Sequence, residues 1–479
     1  MRRRLSAALF FTIAALFLFA FFSLHLSRSA IARTDLIHHY PVPGPASASD
    51  HRQNLVIDGQ STPGPLALVA RHVSSIRDSI STLAVLLPAW EILLIVSPET
   101  PLSDAVDDYV CVFQNNDTSA ARFAGILPST NRTALYCQMP NGVKRLRPFL
   151  QPVLSRKSQS NQDSPGPTAP ELIRWTFLVY ESFSTEDDVV LFAKGLNNRQ
   201  GVNRPPSEFR CVFGDASKND AVKTAVTSST QEVFRCPHPD SPALNNTTKI
   251  SLLMVEANVV VPSVAMYTRN DDEAWVPRNQ QSPVTSCARA RCDDDLGHVV
   301  KQLNEEGFNV TTTFWIWPKT QEAGFSHAAV YAKSWCKWMM YIDVDEFVFA
   351  PSSWSESPTP GKHMLKSLLP KHSKIGQVSI RCNEFGPSNQ KTHPSEGVTQ
   401  GYTCRRRFEQ RHKSIVLLEA VEHSLLNVIH HFHIKQQFRS KQLSMNNATV
   451  NHYKYQAWPE FQNKFRRRVS AYVLDWTQR

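Results

Sequence analysis

The chain has 479 residues, 42% hydrophobic and 20% charged, and its 52 Lys and Arg against 42 Asp and Glu give a net charge of +10. This length exceeds one ordinary domain and suffices for two or three with separate cores. The composition excludes a collagen, a coiled coil and a fully disordered chain. The basic clusters at 2–4, 405–407 and 466–468 are short and dispersed, which argues against a nucleic-acid partner.

The N-terminal region contains one apolar stretch, Leu5 to Leu24. About 20 apolar residues cross a hydrocarbon core of about 30 Å, and the preceding Arg cluster predicts that the N-terminus stays cytoplasmic. We therefore expect a cytoplasmic tail at 1–4, a type II signal anchor at 5–26 and a lumenal remainder. A cleaved signal peptide is the alternative, because Ala30-Ile31-Ala32 resembles a cleavage site.

The glycosylation triplets and cysteines also indicate the secretory pathway. Six acceptor triplets begin at Asn116, Asn131, Asn245, Asn246, Asn309 and Asn447. The chain has 9 cysteines, most of which we expect in disulfides, because no C-x2-C pair favours a zinc site. The odd count leaves one thiol unpaired or paired between chains.

Two similar segments follow a Pro-rich stem at 27–80. In each, a C-V-F strand containing Cys111 or Cys211 precedes, at nearly equal spacing, an aromatic strand containing Cys137 or Cys236. This pattern predicts two β-rich modules with one disulfide each, at 81–150 and 171–248, joined by a Pro/Ser-rich linker at 151–170. A chance similarity between Cys-containing strands is the alternative.

From residue 249 to the end, at 479, the sequence alternates between strand and helix patterns. The predicted elements are strand Ile250–Val255, a helix carrying Leu296, Val299, Val300 and Leu303, strand Phe308–Trp317, helix Gln321–Lys337 and strand Met339–Phe349. Such alternation predicts an α/β domain with a mainly parallel sheet.

The strongest chemical motif is Asp343-Val344-Asp345, which follows an apolar strand. Side chains at i and i+2 of a strand face the same side, so both carboxylates can meet one hard cation beyond the sheet edge. Such a cation can neutralise a diphosphate leaving group. Solvated acids at a strand end are the alternative, and Phe347 argues against a haloacid-dehalogenase-type phosphatase, whose motif has a small Thr or Val there.

These residues carry a resemblance to a known family. The segments that carry it are Trp317–His327, Tyr341–Phe347, Asn383–Ser388, Arg411–Val416, Val428–Phe432 and Tyr453–Arg468, within roughly residues 293–476. They resemble plant members of glycosyltransferase family 92, membrane-anchored GT-A enzymes related to the β-1,4-galactan synthases of the cell wall. The resemblance implies a GT-A-like α/β fold with a mixed, mainly parallel sheet and helices, preceded by β-sandwich-like modules, in the Golgi membrane.

The resemblance also implies a set of site residues. Asp343 and Asp345 would hold Mn²⁺ or Mg²⁺ and the diphosphate of a nucleotide sugar, with UDP-galactose as the expected donor. A late histidine, His430 or His431, would complete the metal site. Lys413 and the 405–407 cluster would face the phosphates.

An inverting transfer also needs a carboxylate base. Glu384 and Glu422 are the candidates, with Glu419, and ordinary surface positions are the alternative for each. Trp315, Trp317 and Trp354 either stack on sugars or pack in the core, with core packing favoured.

The part of the catalytic domain before the D-x-D motif is shorter than the family pattern. A single β-α-β unit takes about 30 residues or more, and two are expected there. Residues 262–292 contain no convincing strand and helix. We therefore expect a shortened N-terminal donor half and weak or absent activity.

Two functions follow from these patterns. One is metal-dependent transfer of a hexose, with galactose expected, to a cell-wall polysaccharide or glycan. The alternative is a membrane-tethered carbohydrate-binding protein with a degenerate, inactive transferase domain. Both imply a glycan partner and one membrane span, and both are compatible with a homodimer.

Overall fold

The computed structural model describes residues between 80 and 470, within the second of two compact units, Ile76–Arg479. The described residues are 80, 82–97, 102, 108–127, 130–158, 165–166, 169–198, 202–216, 221–240, 247–269, 284–287, 296–308, 310–351, 363–371, 374–409, 411–428 and 430–470. The predicted tail, anchor and almost the whole stem lie outside them. No helix in this part of the chain is long and apolar enough to cross a membrane.

The first module is a sandwich of two sheets. Its strands are β1 Thr82–Leu86, β2 Glu91–Val96, β3 Tyr109–Val112, β4 Thr118–Ala120, β5 Arg122–Ile126, β6 Thr133–Gln138, β7 Val153–Arg156 and β8 Ile173–Arg174. They form the sheets β5-β6-β2-β1-β8 and β4-β3-β7. Alternate residues of a strand face opposite sides, so Ile92 and Leu94 pack between the sheets while Leu93 and Ile95 face outward onto a second core.

The second module has the same construction. Its strands are β9 Leu178–Ser184, β10 Asp188–Lys194, β11 Phe209–Phe213, β12 Val222–Ala225, β13 Ser228–Thr230, β14 Val233–Pro237, β15 Thr248–Met254, β16 Val259–Val260 and β17 Met266–Tyr267. One sheet has the order β13-β14-β10-β9 and the other β12-β11-β15-β16, with β17 paired to β15.

The two modules repeat one topology. The orders β5-β6-β2-β1 and β4-β3-β7 of the first match β13-β14-β10-β9 and β12-β11-β15 of the second, strand for strand. In each, a disulfide joins the two sheets, Cys111–Cys137 with a Cα–Cα distance of 6.3 Å and Cys211–Cys236 with 6.4 Å. Each module therefore contains one disulfide, at the cysteines that the sequence pattern predicted.

The structure moves two predicted boundaries. Strand β7 lies inside the predicted linker 151–170, yet it pairs with β3. Strand β15 was assigned to the α/β domain, yet it pairs with β11, because Ile250 and Leu252 fill the second sandwich. The first module therefore extends past 150, and the second past 248.

The C-terminal region contains the described α-helices. Its elements are β18 Val284–Cys287, α1 Leu296–Glu305, β19 Thr311–Phe314, α2 Gln321–Ala332, β20 Trp338–Met340, β21 Glu346–Phe349, α3 His363–Leu368, β22 Ile375–Glu384, α4 Val398–Gly401, β23 His412–Leu417, β24 Arg439–Gln442, β25 Thr449–His452 and α5 Trp458–Ser470. Among the described residues, single-turn 3₁₀ helices lie at Pro88–Trp90, Val143–Arg145, Pro206–Glu208 and Leu418–Ala420.

The segment before the D-x-D motif contains a β-α-β unit. Strands β18 and β19 pair in parallel, and α1 connects them. The expectation that residues 262–292 contain no convincing strand is wrong at Met266–Tyr267 and at Val284–Cys287, where the β-branched Val284 and Thr285 favour extended backbone. The predicted α1 is confirmed, and β19 and α2 are confirmed with shorter bounds.

The main sheet of this region has the order β20-β23-β22-β25-β21, with β24 on β22. Strand β22 runs parallel to β24 and β25, whereas the other three pairings are antiparallel. The sheet is therefore mixed without being mainly parallel. The predicted strand Met339–Phe349 is two strands, because the chain turns at 344–345 and changes partner. The GT-A-like class stays a prediction.

One hydrophobic core joins both modules to the C-terminal region. Its buried members include Leu93 from the first module, Phe192 from the second and Trp315 and Trp317 from the segment after β19. The Trp317 ring stacks on Trp175 at 5.6 Å between centroids and 6° between planes. Trp315 and Trp317 are thus core residues, as favoured from the sequence, and Trp354 lies outside the described residues.

Among the described cysteines, Cys336, Cys382 and Cys404 are free. The side chains of Cys287 and Cys292 are outside the described part of the chain. Asn116, Asn131 and Asn447 are exposed, which leaves these three triplets accessible for glycosylation.

Candidate functional site

The D-x-D motif lies in the loop between β20 and β21. Because β20 pairs with β23 and β21 with β25, this loop faces the ends of both neighbouring strands. Val344 projects into solvent and is 92% exposed. Asp343 and Asp345 instead turn toward two different groups of side chains.

Asp343 belongs to a group centred on Lys413 of β23. The ammonium Nζ of Lys413 lies 3.1 Å from Oδ2 of Asp343, 2.8 Å from Oε2 of Glu346 and 2.6 Å from Nε2 of His430. The side chains of Lys413 and Glu346 are only 7% and 1% exposed. The backbone N–H of Asp343 donates to Oε2 of Glu346 at 2.9 Å, which fixes the loop to the first residue of β21.

Asp345 belongs to a second group, formed with β25 and α5. Lys464 of α5 donates to Oδ2 of Asp345. Nε2 of His452 lies 3.4 Å from that same oxygen, and its Nδ1 lies 3.4 Å from Oε1 of Glu346. Glu346 therefore touches both groups and links them into one charged cluster.

Both aspartates favour the ionised form. Burial alone would raise the pKa of Asp343, but the nearby His430 imidazole, whose Nε2 lies 3.6 Å from Oδ2 of Asp343, and the charge of Lys413 outweigh it and lower this pKa. Burial would likewise raise the pKa of Asp345, but His452 and Lys464 outweigh it, so this pKa is also lowered. At neutral pH the motif therefore carries two negative charges.

Glu384 lies one strand away from this cluster. It is the register partner of His452, which is also the register partner of Glu346, so the three side chains form a row across β22, β25 and β21. Its carboxylate lies 2.7 Å from Nζ of Lys454 and 3.3 Å from Nη1 of Arg406. The predicted base is thus buried beside the motif and held by two cations.

The structure brings together most of the predicted site residues. Asp343, Asp345, Lys413 and His430 share the cluster, with Glu384 next to it.

Glu422 lies elsewhere. It accepts from Ser424 at 3.3 Å in a turn whose His423 carbonyl binds Arg235 of the second module.

Two more of the sequence candidates, His431 and Glu419, do not belong to the cluster. His431 binds Ser414 and the carbonyl of His412. Glu419 is exposed.

Sequence reasoning missed Glu346, His452, Lys454 and Lys464. Glu346 directly follows the motif. A third acidic residue immediately after the two aspartates is the signal in the sequence that could have identified it. The other three lie more than 100 residues downstream. Only the pairing of β25 with β21 and β22 brings them to the site.

The cluster contains side chains that could ligate a metal ion. Its carboxylates and imidazoles are donors that a divalent cation accepts, and Oε1 of Glu346 and Nδ1 of His430 are buried without a hydrogen bond. Among the described side chains, however, no group of three or more His, Cys, Asp and Glu is arranged to hold a metal ion. Lysines hold both aspartates instead, so the residues as placed do not fit the predicted Mn²⁺.

Comparisons with known proteins identify the class. The profile of glycosyltransferase family 92 matches residues 291–477. A family 92 protein of Ricinus communis is 32% identical over 86% of this chain and 80% of its own length. Relatives from Arabidopsis thaliana and Oryza sativa subsp. japonica are each 34% identical, over 64% and 65% of this chain and 59% and 60% of their own lengths.

These matches define a glycosyltransferase. The chain belongs to glycosyltransferase family 92, as the sequence motifs predicted. Among solved structures, a pullulanase from Anoxybacillus sp. LM18-11 covers 38% of this chain and 24% of its own at 7% identity and a TM-score of 0.13. That score is too low to indicate a shared fold.

Proposed function

We propose that this chain transfers a hexose, with galactose from UDP-galactose as the expected donor, to a cell-wall polysaccharide or glycan. The observation that carries the proposal is the buried charged cluster in which Lys413, Glu346 and His430 surround the motif residue Asp343. Family membership supports the reaction class, and the cluster supports its location. A lumenal site on a type II Golgi membrane protein is part of the same proposal.

The chemistry assigned to the chain is charge stabilisation and proton transfer. The acceptor oxygen bonds to the anomeric carbon as the bond from that carbon to the phosphate oxygen breaks, and the electron pair leaves with the diphosphate. Lys413 is the buried cation closest to the motif and would stabilise this charge. Glu384 is a better-placed base than Glu422 for the acceptor proton, because its row adjoins the cluster.

Divalent-metal dependence stays a prediction. When bound, Mn²⁺ or Mg²⁺ would supply charge neutralisation at the diphosphate. Asp343, Asp345 and His430 are the predicted ligands, but Lys413 and Lys464 contact the same carboxylate oxygens. No step is therefore assigned to the cation.

The test is UDP release and hexose transfer by the full-length chain, with and without Mn²⁺. Asp343→Asn combined with Asp345→Asn should abolish both. Glu384→Gln should lower kcat by roughly 10²- to 10⁴-fold, the usual contribution of a general base. Glu422→Gln is the matched control and should leave kcat unchanged. Equal rates for the unaltered chain and the double Asp variant would refute the proposal.

The carbohydrate-binding alternative has one supporting observation. Both motif aspartates are already paired with lysines, as in a site that no longer binds a donor. If the unaltered chain releases no UDP from any UDP-sugar but retains glycan binding, this alternative is the function.

A further inference from the structure

His430 reaches the charged cluster from an irregular hairpin, described at 421–428 and 430–434. The two arms pair through isolated bridges, Val421 with Ile434 near the base and Asn427 with Phe432 near the tip. Nε2 of His430 lies 2.6 Å from Nζ of Lys413 and 3.6 Å from Oδ2 of Asp343. The position of this hairpin therefore decides whether the imidazole meets the motif and its buried cation.

The backbone of the hairpin is strained at two residues. Leu425 has a φ of 56° and His430 a φ of 69°, in the left-handed region that side chains larger than that of glycine disfavour. Such conformations persist only where the surrounding structure holds them. The shape of the hairpin therefore depends on what packs against its first arm.

Gln231 of the second module packs against that arm. It lies in the turn between β13 and β14 and is 6% exposed. Its Nε2 donates to the carbonyl of Asn427 at 2.8 Å, and its Oε1 accepts the backbone N–H of Asn427 at 3.4 Å. Asn427 is fully buried and lies three residues before His430. One side-chain amide thus pairs with both backbone groups of Asn427, as a neighbouring strand would.

Two other elements hold the same arm. Nδ2 of Asn427 donates to the carbonyl of Glu322 and to Oγ of Ser326 in α2, both at 3.0 Å. Nη1 of Arg235, also from the second module, donates to the carbonyl of His423 at 2.9 Å. The arm is therefore held between α2 and the second module.

We propose that Gln231 is a positioning residue for the transferase site: through Asn427 it sets the hairpin that holds His430 against Lys413. Removing the Gln231 amide takes a partner from two buried backbone groups, and the free-energy cost of leaving them unpaired favours displacement of the arm. The second β module is then part of the site. The inference rests on the proposed function, since it concerns how the same cluster is held in place.

The test compares the full-length chain with Gln231→Met, which removes the amide and retains a side chain of similar length. The first measurement is the rate at which acetic anhydride acetylates Lys413, followed by peptide mass spectrometry. The Lys413 side chain is only 7% exposed, and displacement of His430 should raise this rate at least about fivefold through local opening. The second measurement is UDP release. Its kcat should fall about tenfold while KM changes less than about twofold, because Lys413 stabilises charge that develops in the transition state.

Gln151→Met is the matched control, in the first module. Gln151 is 9% exposed, and its amide also pairs with two backbone groups, accepting the N–H of Ala84 at 3.2 Å and donating to the carbonyl of Glu171 at 3.1 Å. This variant should lower the urea midpoint about as much as Gln231→Met does. It should leave the acetylation of Lys413 and kcat unchanged, because Gln151 does not contact the hairpin.

Each other outcome has a defined meaning. Acetylation of Lys413 that is unchanged in Gln231→Met, or raised equally in Gln151→Met, overturns the inference. Faster acetylation with unchanged kcat also overturns it, because the hairpin then moves without affecting the reaction. Absence of UDP release from the unaltered chain refutes the proposed function, and the acetylation rate then decides alone whether Gln231 orders the cluster. If Gln231→Met does not fold, Gln231→Asn, whose amide is one methylene shorter, replaces it with the same expected results.

Discussion

Replacing His327 should remove a large part of the acid sensitivity of this protein. His327 lies in α2 among Phe183, Phe192 and Trp315, with ring centroids 5.6, 5.7 and 5.0 Å away. Its Nε2 is buried without a hydrogen bond. Burial disfavours the charged ring and lowers the pKa of His327 from 6.5 to about 4.

The direction in which stability changes with pH depends on whether the folded or the unfolded state binds the proton. Between pH 6.5 and 4 the unfolded chain protonates this histidine and the folded chain does not, so stability is lost as pH falls. With these two pKa values the loss is about 2 kcal/mol at pH 5 relative to pH 7. His327→Phe removes the titrating group and retains a ring in an aromatic environment.

The assay is urea unfolding of the full-length chain at pH 7 and pH 5, followed by tryptophan fluorescence. The unaltered chain should lose about 2 kcal/mol more than His327→Phe between the two pH values. His393→Gln, at an exposed histidine, should behave as the unaltered chain. If the difference in unfolding free energy between the His327→Phe variant and the unaltered chain is the same at both pH values, burial does not lower the pKa of His327.

Three further predictions concern buried pairs. Lys413→Met leaves the Glu346 carboxylate buried without its ammonium and should cost about 3–5 kcal/mol; a double-mutant cycle with Glu346→Gln should recover part of it, and strict additivity would contradict the pairing. Arg235→Met breaks the bidentate contact with Asp188 and the bond to the His423 carbonyl. It should lower the free energy of unfolding in urea by about 3–5 kcal/mol and speed proteolysis of the 421–428 turn. An unchanged cleavage rate would show that Arg235 does not attach this turn to the second module. Cys211→Ala with Cys236→Ala opens a loop with a sequence separation of 25 and should cost about 3–4 kcal/mol; Cys404→Ser, at an exposed free thiol, is the control.

The sequence predicted those parts of the fold whose signals are local. Each C-V-F strand, at Cys111 or at Cys211, consists of residues adjacent in the sequence, and the helical spacing of α1 also involves nearby residues. The repeat and the helix could therefore be predicted. Strand β18 was missed because its four residues stand alone between polar segments. The turn at 344–345 was missed because both halves of Met339–Phe349 have strand character, and the pairing partners that separate them, β23 and β25, lie far downstream.

The candidate site was predictable where residues share a short motif. Asp343 and Asp345 followed from adjacency, and Lys413 and His430 from resemblance. Lys464 and His452 reach the motif only through the packing of α5 and β25, which no local pattern encodes. Glu422 was a plausible candidate because sequence alone does not show which face of the turn after β23 meets the second module.

The core shared by the modules and the C-terminal region has a consequence for biosynthesis. The outward faces of β1 and β2 are finished early in translation, but the core that they join also contains residues from Trp315 to Phe432, which are made much later. At about 5–20 residues per second, the ribosome needs roughly 10 to 40 s to make the intervening chain. During that interval Leu93 and Ile95 lack the C-terminal part of the core into which they pack. We therefore expect the sandwiches to close on themselves first and to need chaperone protection of one face until the last third of the chain emerges.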